Sequence, residues 1–234
     1  MNSVDIVLPV YNEEKVLSQS VETLRQFLSG GFPYKWRLVI ADNASTDSTL
    51  GVAKELSACY PDVTYIHLDE KGRGRALKKA WLESTADIVS YMDIDLSTNL
   101  RHFPPLIAAL TGGYDVAIGS RLMPASRIKR SLRREVLSRG YNLMVKAMFG
   151  TRFSDAQCGF KALTRKAVQA LVPLIEDNKW FFDSELLILA EKKGFRIAEI
   201  PVEWVEDLDS RVKIIRTSLD DIKGLIRVRT RPIP

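Results

Sequence analysis

Apolar positions in the first hundred residues recur with two alternating periods. Residues 4–9 form a continuous apolar run interrupted only by Asp5. After it Val16, Leu17, Val21, Leu24, Phe27 and Leu28 return at three- and four-residue spacing, the signature of one helical face. Residues 36–41 predict a second strand, and Ser45 or Asp47 is placed to cap the helix that follows. Residues 63–67 predict a third strand, Ala76, Leu77, Ala80 and Trp81 a short helix, and residues 88–92 a fourth strand.

The second half is less regular. Residues 114–119 predict another strand, and residues 130–149 a basic amphipathic helix ending at Gly150. Further helices are expected over 164–171 and 183–193, with a strand over 196–202. Ile215, Leu219, Ile222 and Ile226 then form a helical stripe beside basic residues. Strands separated by helices imply βαβ units and an α/β fold with a largely parallel sheet. Ligands of such sheets bind at the carboxyl ends of the strands. Polar clusters follow three of them: Tyr11-Asn12-Glu13, Asp42-Asn43 and Asp93-Ile94-Asp95.

With 234 residues, 46% of them apolar, the chain can bury one sizeable core. Neither an internal repeat nor a linker divides it, so we expect one domain over residues 1–210 and a helical extension over 211–234. An uninterrupted apolar run of about 18 residues, as a membrane-spanning helix requires, is missing. The opening MNSVDIVLPVYNEE enters a strand almost directly, which predicts no secretory leader. Two lone cysteines, Cys59 and Cys158, suggest a reducing compartment. Two scattered histidines do not make a zinc site.

The net charge of +5 is unevenly placed. Arg121, Arg127, Lys129, Arg130, Arg133, Arg134 and Arg139 face one acid, Glu135, and Lys223, Arg227, Arg229 and Arg231 cluster near the end. Such patches favour phosphate-bearing ligands, an anionic membrane or nucleic acid, or are solvated helix faces.

Two carboxylates two residues apart, read as the end of an extended strand, would share a face and repel. A divalent cation would offset the repulsion: Mg²⁺ or Mn²⁺ takes carboxylate oxygens and completes its shell with water and substrate phosphates. Lys71-Gly72-Arg73-Gly74-Arg75 precedes a helix, where cations and a helix N-terminus suit a diphosphate, although it is neither a Walker loop nor a dinucleotide fingerprint. Asp155 and Gln157 are candidates to orient a substrate, with a local turn as the alternative. Asp183 reads as a helix N-cap.

Taken in order, VDIVLPVYNEEKVL, ADNASTDST, EKGRGRALKKA, YMDIDLST, IGSR, SDAQCGFKALTR and FFDSELLILAEKKGFRIAEIPVEW resemble family 2 glycosyltransferases of the GT-A fold, in the polyprenyl-phosphate sugar synthase branch. The resemblance runs from Val4 to about Lys213. It implies that Pro9, Tyr11, Glu13 and Asp42 hold the nucleoside of a nucleotide-sugar donor. Lys71 and Gly72 fall at the diphosphate, and Asp93 and Asp95 serve the metal and the sugar diphosphate. Arg121 would receive the acceptor phosphate, Asp155 and Gln157 match the acceptor-side loop, and Arg211 or Lys213 a late cationic position. The implied reaction is inverting transfer of a hexose from UDP-glucose or GDP-mannose to a polyprenyl or dolichyl phosphate. It would occur peripherally at the cytosolic face of a membrane, with Leu132, Val136, Leu143, Val145, Met148 and Phe149 on the lipid surface. The chain departs from some mannose synthases at Ser97, where they carry glutamine. A hydroxyl acceptor on a saccharide would instead require a base such as Asp155. A nucleic-acid partner is not expected, because acids gather at the strand ends and no nucleic-acid motif is present.

Overall fold

A computed structural model describes residues 3–206 and 214–232. The strands are β1 (Ser3–Val10), β2 (Lys35–Asn43), β3 (Val63–Leu68), β4 (Ile88–Met92), β5 (Val116–Ser120), β6 (Arg127–Lys129), β7 (Phe160–Thr164), β8 (Ile197–Pro201) and β9 (Glu203–Val205). The helices are α1 (Leu17–Ser29), α2 (Thr49–Cys59), α3 (Arg73–Glu83), α4 (Phe103–Thr111), α5 (Leu132–Phe149), α6 (Arg165–Leu171), α7 (Phe182–Lys192) and α8 (Ile214–Thr230).

Seven strands form one sheet in the order β3-β2-β1-β4-β7-β5-β8, and β6 pairs with β9 beside it. The pairs β2–β3, β1–β2, β1–β4 and β5–β8 are parallel. β7 runs antiparallel between β4 and β5. The sheet is therefore mixed, and the expected parallel architecture holds for all but this strand. The reversal matters for the site: it brings the start of β7, not its end, to the edge where β1, β2 and β4 finish.

Period-two alternation divides the sheet side chains between two cores. Ile6, Leu8, Leu38, Ile40, Ile88 and Met92 pack with α1, α2 and α4. Val7, Val39, Val89, Tyr91, Val116 and Leu163 pack with α3, α6 and α7 on the opposite face. Leu225 and Val228 of α8 belong to this second core, and α8 packs on α5 and α7. Individual ends follow local chemistry. Thr164 caps α6 by accepting from the Ala167 N–H, and α5 stops at Gly150, whose left-handed φ of 68° suits glycine. Asp47 accepts from the Thr49 N–H at the start of α2, whereas Ser45 accepts from the Asn12 N–H.

Candidate functional site

The carboxyl edge of β1 and β2 is a clasp. Asn12, at φ 57°, accepts from the Thr46 N–H, and Thr49 Oγ1 accepts from the Glu13 N–H. Tyr11 lies under Lys71, whose Nζ is 3.2 Å from the ring centroid, a cation–π contact. Pro9, within β1, is half-buried. Asp42 is fully buried; its Oδ2 pairs with His67 Nδ1 at 2.6 Å, while its Oδ1 has no hydrogen-bond partner among the described residues.

The basic glycine loop is committed differently from the sequence-based expectation. The Gly72 N–H donates to Asn43 Oδ1, and the Gly74 and Arg75 N–H groups donate to the carbonyls of Lys179 and Asn178. These helix-start donors are thus occupied by protein acceptors. The glycines serve close approach: a Cβ at Gly72 would meet the Asn178 carbonyl oxygen at 2.5 Å, and one at Gly74 the Phe182 Cβ at 2.7 Å. Cationic side chains, not backbone, are what this loop offers a ligand.

Asp93 and Asp95 do not sit on an extended strand. β4 ends at Met92, and the chain turns, with the Leu96 N–H bonded to the Asp93 carbonyl and Leu96 at φ 51°. Asp95 Oδ1 accepts from the Ser97 N–H, an Asx turn that fixes the loop. Asp93 is half-buried and lies directly against Gly159: a Cβ there would meet its Oδ2 at 1.8 Å. The expected repulsion is met by Arg73, whose Nη2 donates to Asp93 Oδ1 at 2.8 Å. No third histidine, cysteine or acid joins the pair in a metal-holding cluster among the described residues.

Arg121 and Asp155 are brought together as one unit. Arg121 Nε and Nη2 donate to the two Asp155 oxygens at 2.8 and 3.0 Å, and the Arg121 and Gln157 N–H groups add two more bonds. Asp155 is fully buried. Burial opposes its ionisation, but the Arg121 guanidinium overrides this and holds the carboxyl down at about 2. It anchors Arg121 and is unsuited to take a proton at neutral pH. Gln157 Nε2 donates to Asp221 Oδ2 on α8 at 2.9 Å, tying the loop to that helix. Burial, with Asp177 and Asp183 nearby, pushes Asp221 up to about 7.

Other expectations need correction. Asp183 is not an N-cap: that position is Phe181, without a side-chain cap, and Asp183 is buried among Arg73, Lys161 and Tyr91. Val145 of α5 is buried, and Met148 and Phe149 pack against the core, leaving Leu132, Val136 and Leu143 exposed. Arg130 and Arg139 pair with Glu135, and Arg134 with Glu206, so the arginine stretch is largely neutralised. Cys158 is buried and its thiol is pushed up to about 12 by that burial. Arg211 and Lys213 lie outside the described residues. Sequence reasoning missed Lys161 and Gly159 as site residues. A lysine inside the five-residue run FKALT was the available signal, because a buried ammonium demands an acid partner.

The fold has close counterparts. Glucosyl-3-phosphoglycerate synthase from Mycobacterium tuberculosis in complex with UDP superposes with a TM-score of 0.75 at 20% identity, covering 99% of this chain and 82% of that one. The same enzyme with Mn²⁺, UDP and phosphoglyceric acid gives 0.73 at 18% identity, covering 99% and 80%. By sequence, the chain is 38% identical over 228 residues to the glycosyltransferase AglD of Haloferax volcanii, covering 95% of this chain and 35% of that relative. It therefore spans about a third of that relative's length. It is 31% identical over 245 residues to the dolichyl-phosphate beta-glucosyltransferase of Saccharomyces cerevisiae, covering 96% and 73%. Residues 5–172, from β1 through the acidic turn to α6, match one family throughout, and on that match this chain belongs to glycosyl transferase family 2.

Proposed function

We propose that the chain transfers a hexose, with inversion, from a nucleoside-diphosphate sugar to the phosphate of a polyprenyl or dolichyl lipid. The observation that carries this reading is the buried Asp42 Oδ1, an acceptor with no donor among the described residues, on the same sheet edge as the acidic turn. A buried unmatched carboxylate oxygen is costly, and a nucleobase N–H would satisfy it. Tyr11 and Lys71 would flank the nucleoside, with Pro9 near the end of β1 and Glu13 on the loop that follows it.

Asp93 and Asp95 form an all-oxygen, two-carboxylate donor set that leaves other coordination positions to phosphate and water. This suits Mg²⁺ or Mn²⁺. Bound there, such an ion supplies charge stabilisation to the departing diphosphate. The residues of the chain do the rest. Arg73 holds Asp93, and the Arg121 side chain, fixed by Asp155 and 13% exposed, offers its outer edge to a phosphate. A lipid phosphate is already anionic at neutral pH, so its oxygen can attack the anomeric carbon without a general base. That favours it over a saccharide hydroxyl, because Asp155 is locked in its ion pair. The name of the yeast relative supports glucose and dolichyl phosphate, and the mycobacterial complexes support UDP with a divalent cation.

The test is a panel of UDP-glucose and GDP-mannose against polyprenyl phosphate and soluble saccharides, with Mg²⁺, Mn²⁺ or EDTA. Transfer from UDP-glucose to the lipid phosphate is expected, at least about tenfold faster than from GDP-mannose and abolished by EDTA. Faster transfer to a soluble saccharide, or transfer indifferent to chelation, refutes the assignment.

Access to a lipid substrate fits the exposed side chains of two packed helices. Leu132 (83% exposed), Val136 and Leu143 on α5, with Leu219, Ile222 and Ile226 on α8, face outward beside Arg133, Lys223 and Arg229. No helix among the described residues is long and apolar enough to cross a membrane. These faces would instead lie on an anionic bilayer, at the cytosolic side of a membrane. Arg133 makes no ion pair among the described residues, so Arg133→Glu removes one attraction and adds one repulsion. At about 1 kcal/mol per charge, flotation on anionic liposomes should weaken roughly 30-fold. Unchanged flotation argues against this orientation.

A further inference from the structure

Behind the acidic turn lies a chain of charged groups whose inner members, Lys161 and Asp183, have no part in the reaction described above. Lys161 of β7 is fully buried, and its Nζ donates to Asp183 Oδ1 at 2.9 Å and to the Cys158 carbonyl at 2.6 Å. The Tyr91 hydroxyl donates to the same Asp183 oxygen. Asp183 Oδ2 accepts from Arg73 Nη1 at 2.6 Å, and Arg73 Nη2 reaches Asp93 Oδ1 at 2.8 Å. The Arg73 guanidinium carbon lies 4.8 and 5.0 Å from the ring centroids of Tyr91 and Trp180. Two hydrogen-bonded ends and two aromatic rings restrict the guanidinium closely.

Charge alternates along the chain, from Lys161 to Asp183, Arg73 and Asp93. Side-chain exposure rises with it, 0%, 5%, 10% and 43%. Stability alone is a weak account, because apolar replacements of buried ion networks are often as stable. What the network achieves is geometric: it runs from the sheet interior to one oxygen of the outermost carboxylate. Gly159, with no side chain, leaves room for the other oxygen.

We propose that Arg73 is a positioning residue that sets the Asp93 carboxylate for a nucleoside diphosphate and its divalent cation, with Lys161 and Asp183 as its buried anchor. The proposal rests on the assignment of Asp93 to the diphosphate end of the donor site. Guanidinium geometry is essential to it, since a lysine at position 73 carries the charge but lacks the planar fork that spans two acids.

Binding of UDP and of GDP, each with and without Mn²⁺, is measured by calorimetry in the absence of any acceptor. Arg73→Lys and the charge-balanced double variant Lys161→Met with Asp183→Asn are compared with the wild type, and folding is checked by thermal denaturation. Both variants are expected to lose about tenfold in Mn²⁺-dependent nucleotide affinity, a loss of positioning rather than of charge. Donor KM rises accordingly while acceptor KM stays constant, a split that general destabilisation does not produce. Arg73→Lys decides the matter if the double variant does not fold. Mn²⁺-dependent binding in the wild type with unchanged affinity in a folded variant overturns this inference alone. Wild-type binding indifferent to Mn²⁺ overturns the functional assignment and the inference with it.

Discussion

Gly159→Ala should lower kcat/KM for sugar transfer at least about 100-fold while the protein still folds. The added Cβ would fall 1.8 Å from Asp93 Oδ2, 2.4 Å from Cγ and 2.8 Å from Oδ1, so the carboxylate has to leave its position. The backbone cannot yield instead. The Asp93 N–H bonds the Gly159 carbonyl, and one step further Met92 is paired with Phe160 in the β4–β7 ladder. The side chain must rotate, and in doing so it breaks the 2.8 Å bond to Arg73. Displacing a reacting-site group by about 1 Å costs on the order of 100-fold. The same crowding costs about 1–3 kcal/mol of stability, which a domain of this size survives. Steady-state transfer and a thermal melt on the same preparation check both numbers. Asp93→Asn gives the comparison, because Gly159→Ala acts through that carboxylate and should be no more damaging. Activity within threefold of wild type would mean that Asp93 works from another position.

The contrast between Gly159 and Asp93 shows what the sequence disclosed and what it concealed. β1 to β4 and their helices were legible because each strand is a short apolar run and each helix keeps a single apolar face. The sheet-edge acids were legible for the same reason, as they follow those runs. β7 was not, because FKALT is buried on both faces and shows no alternation, and a lysine in it argues against a core strand. Its antiparallel direction is tertiary information. Without it, nothing places the loop 155–159 beside Asp93, although that loop precedes a strand while every other site loop follows one. The role of Asp183 was concealed likewise. An acid at the start of a helix reads locally as a cap, and only the packing of β7 and α3 against α7 puts Lys161 and Arg73 at its oxygens. Arg121 and Asp155 were each recognised, yet as separate substrate-facing groups; 34 residues of chain separate two side chains that bond to each other.

That pair carries the largest expected effect on stability. Arg121→Met should destabilise the fold by about 3–5 kcal/mol at pH 7, because it leaves a buried carboxylate without its counter-charge. For a domain of this length the melting temperature should fall by roughly 6–15 °C. The pH dependence distinguishes this cause from lost packing. In the wild type Asp155 is held at about 2, below the ~3.9 of an unfolded chain. Its contribution is therefore present above pH ~4 and is lost as pH falls through about 2. With Arg121 gone, burial is the main remaining influence and raises the folded value above the unfolded one. The sign reverses: the variant gains relative stability as pH falls, because the buried group then takes up a proton. The gap between wild type and variant should accordingly narrow from pH 7 to pH 4, as read by denaturant unfolding at each pH. A gap constant across that range would assign the loss to packing around Trp204, over which the Arg121 guanidinium lies at 5.5 Å. Arg121→Met combined with Asp155→Leu removes both charges and should recover most of the stability but none of the transfer. Stability can dispense with this pair, whereas under the proposed function the acceptor phosphate would still need the guanidinium that Asp155 holds in place.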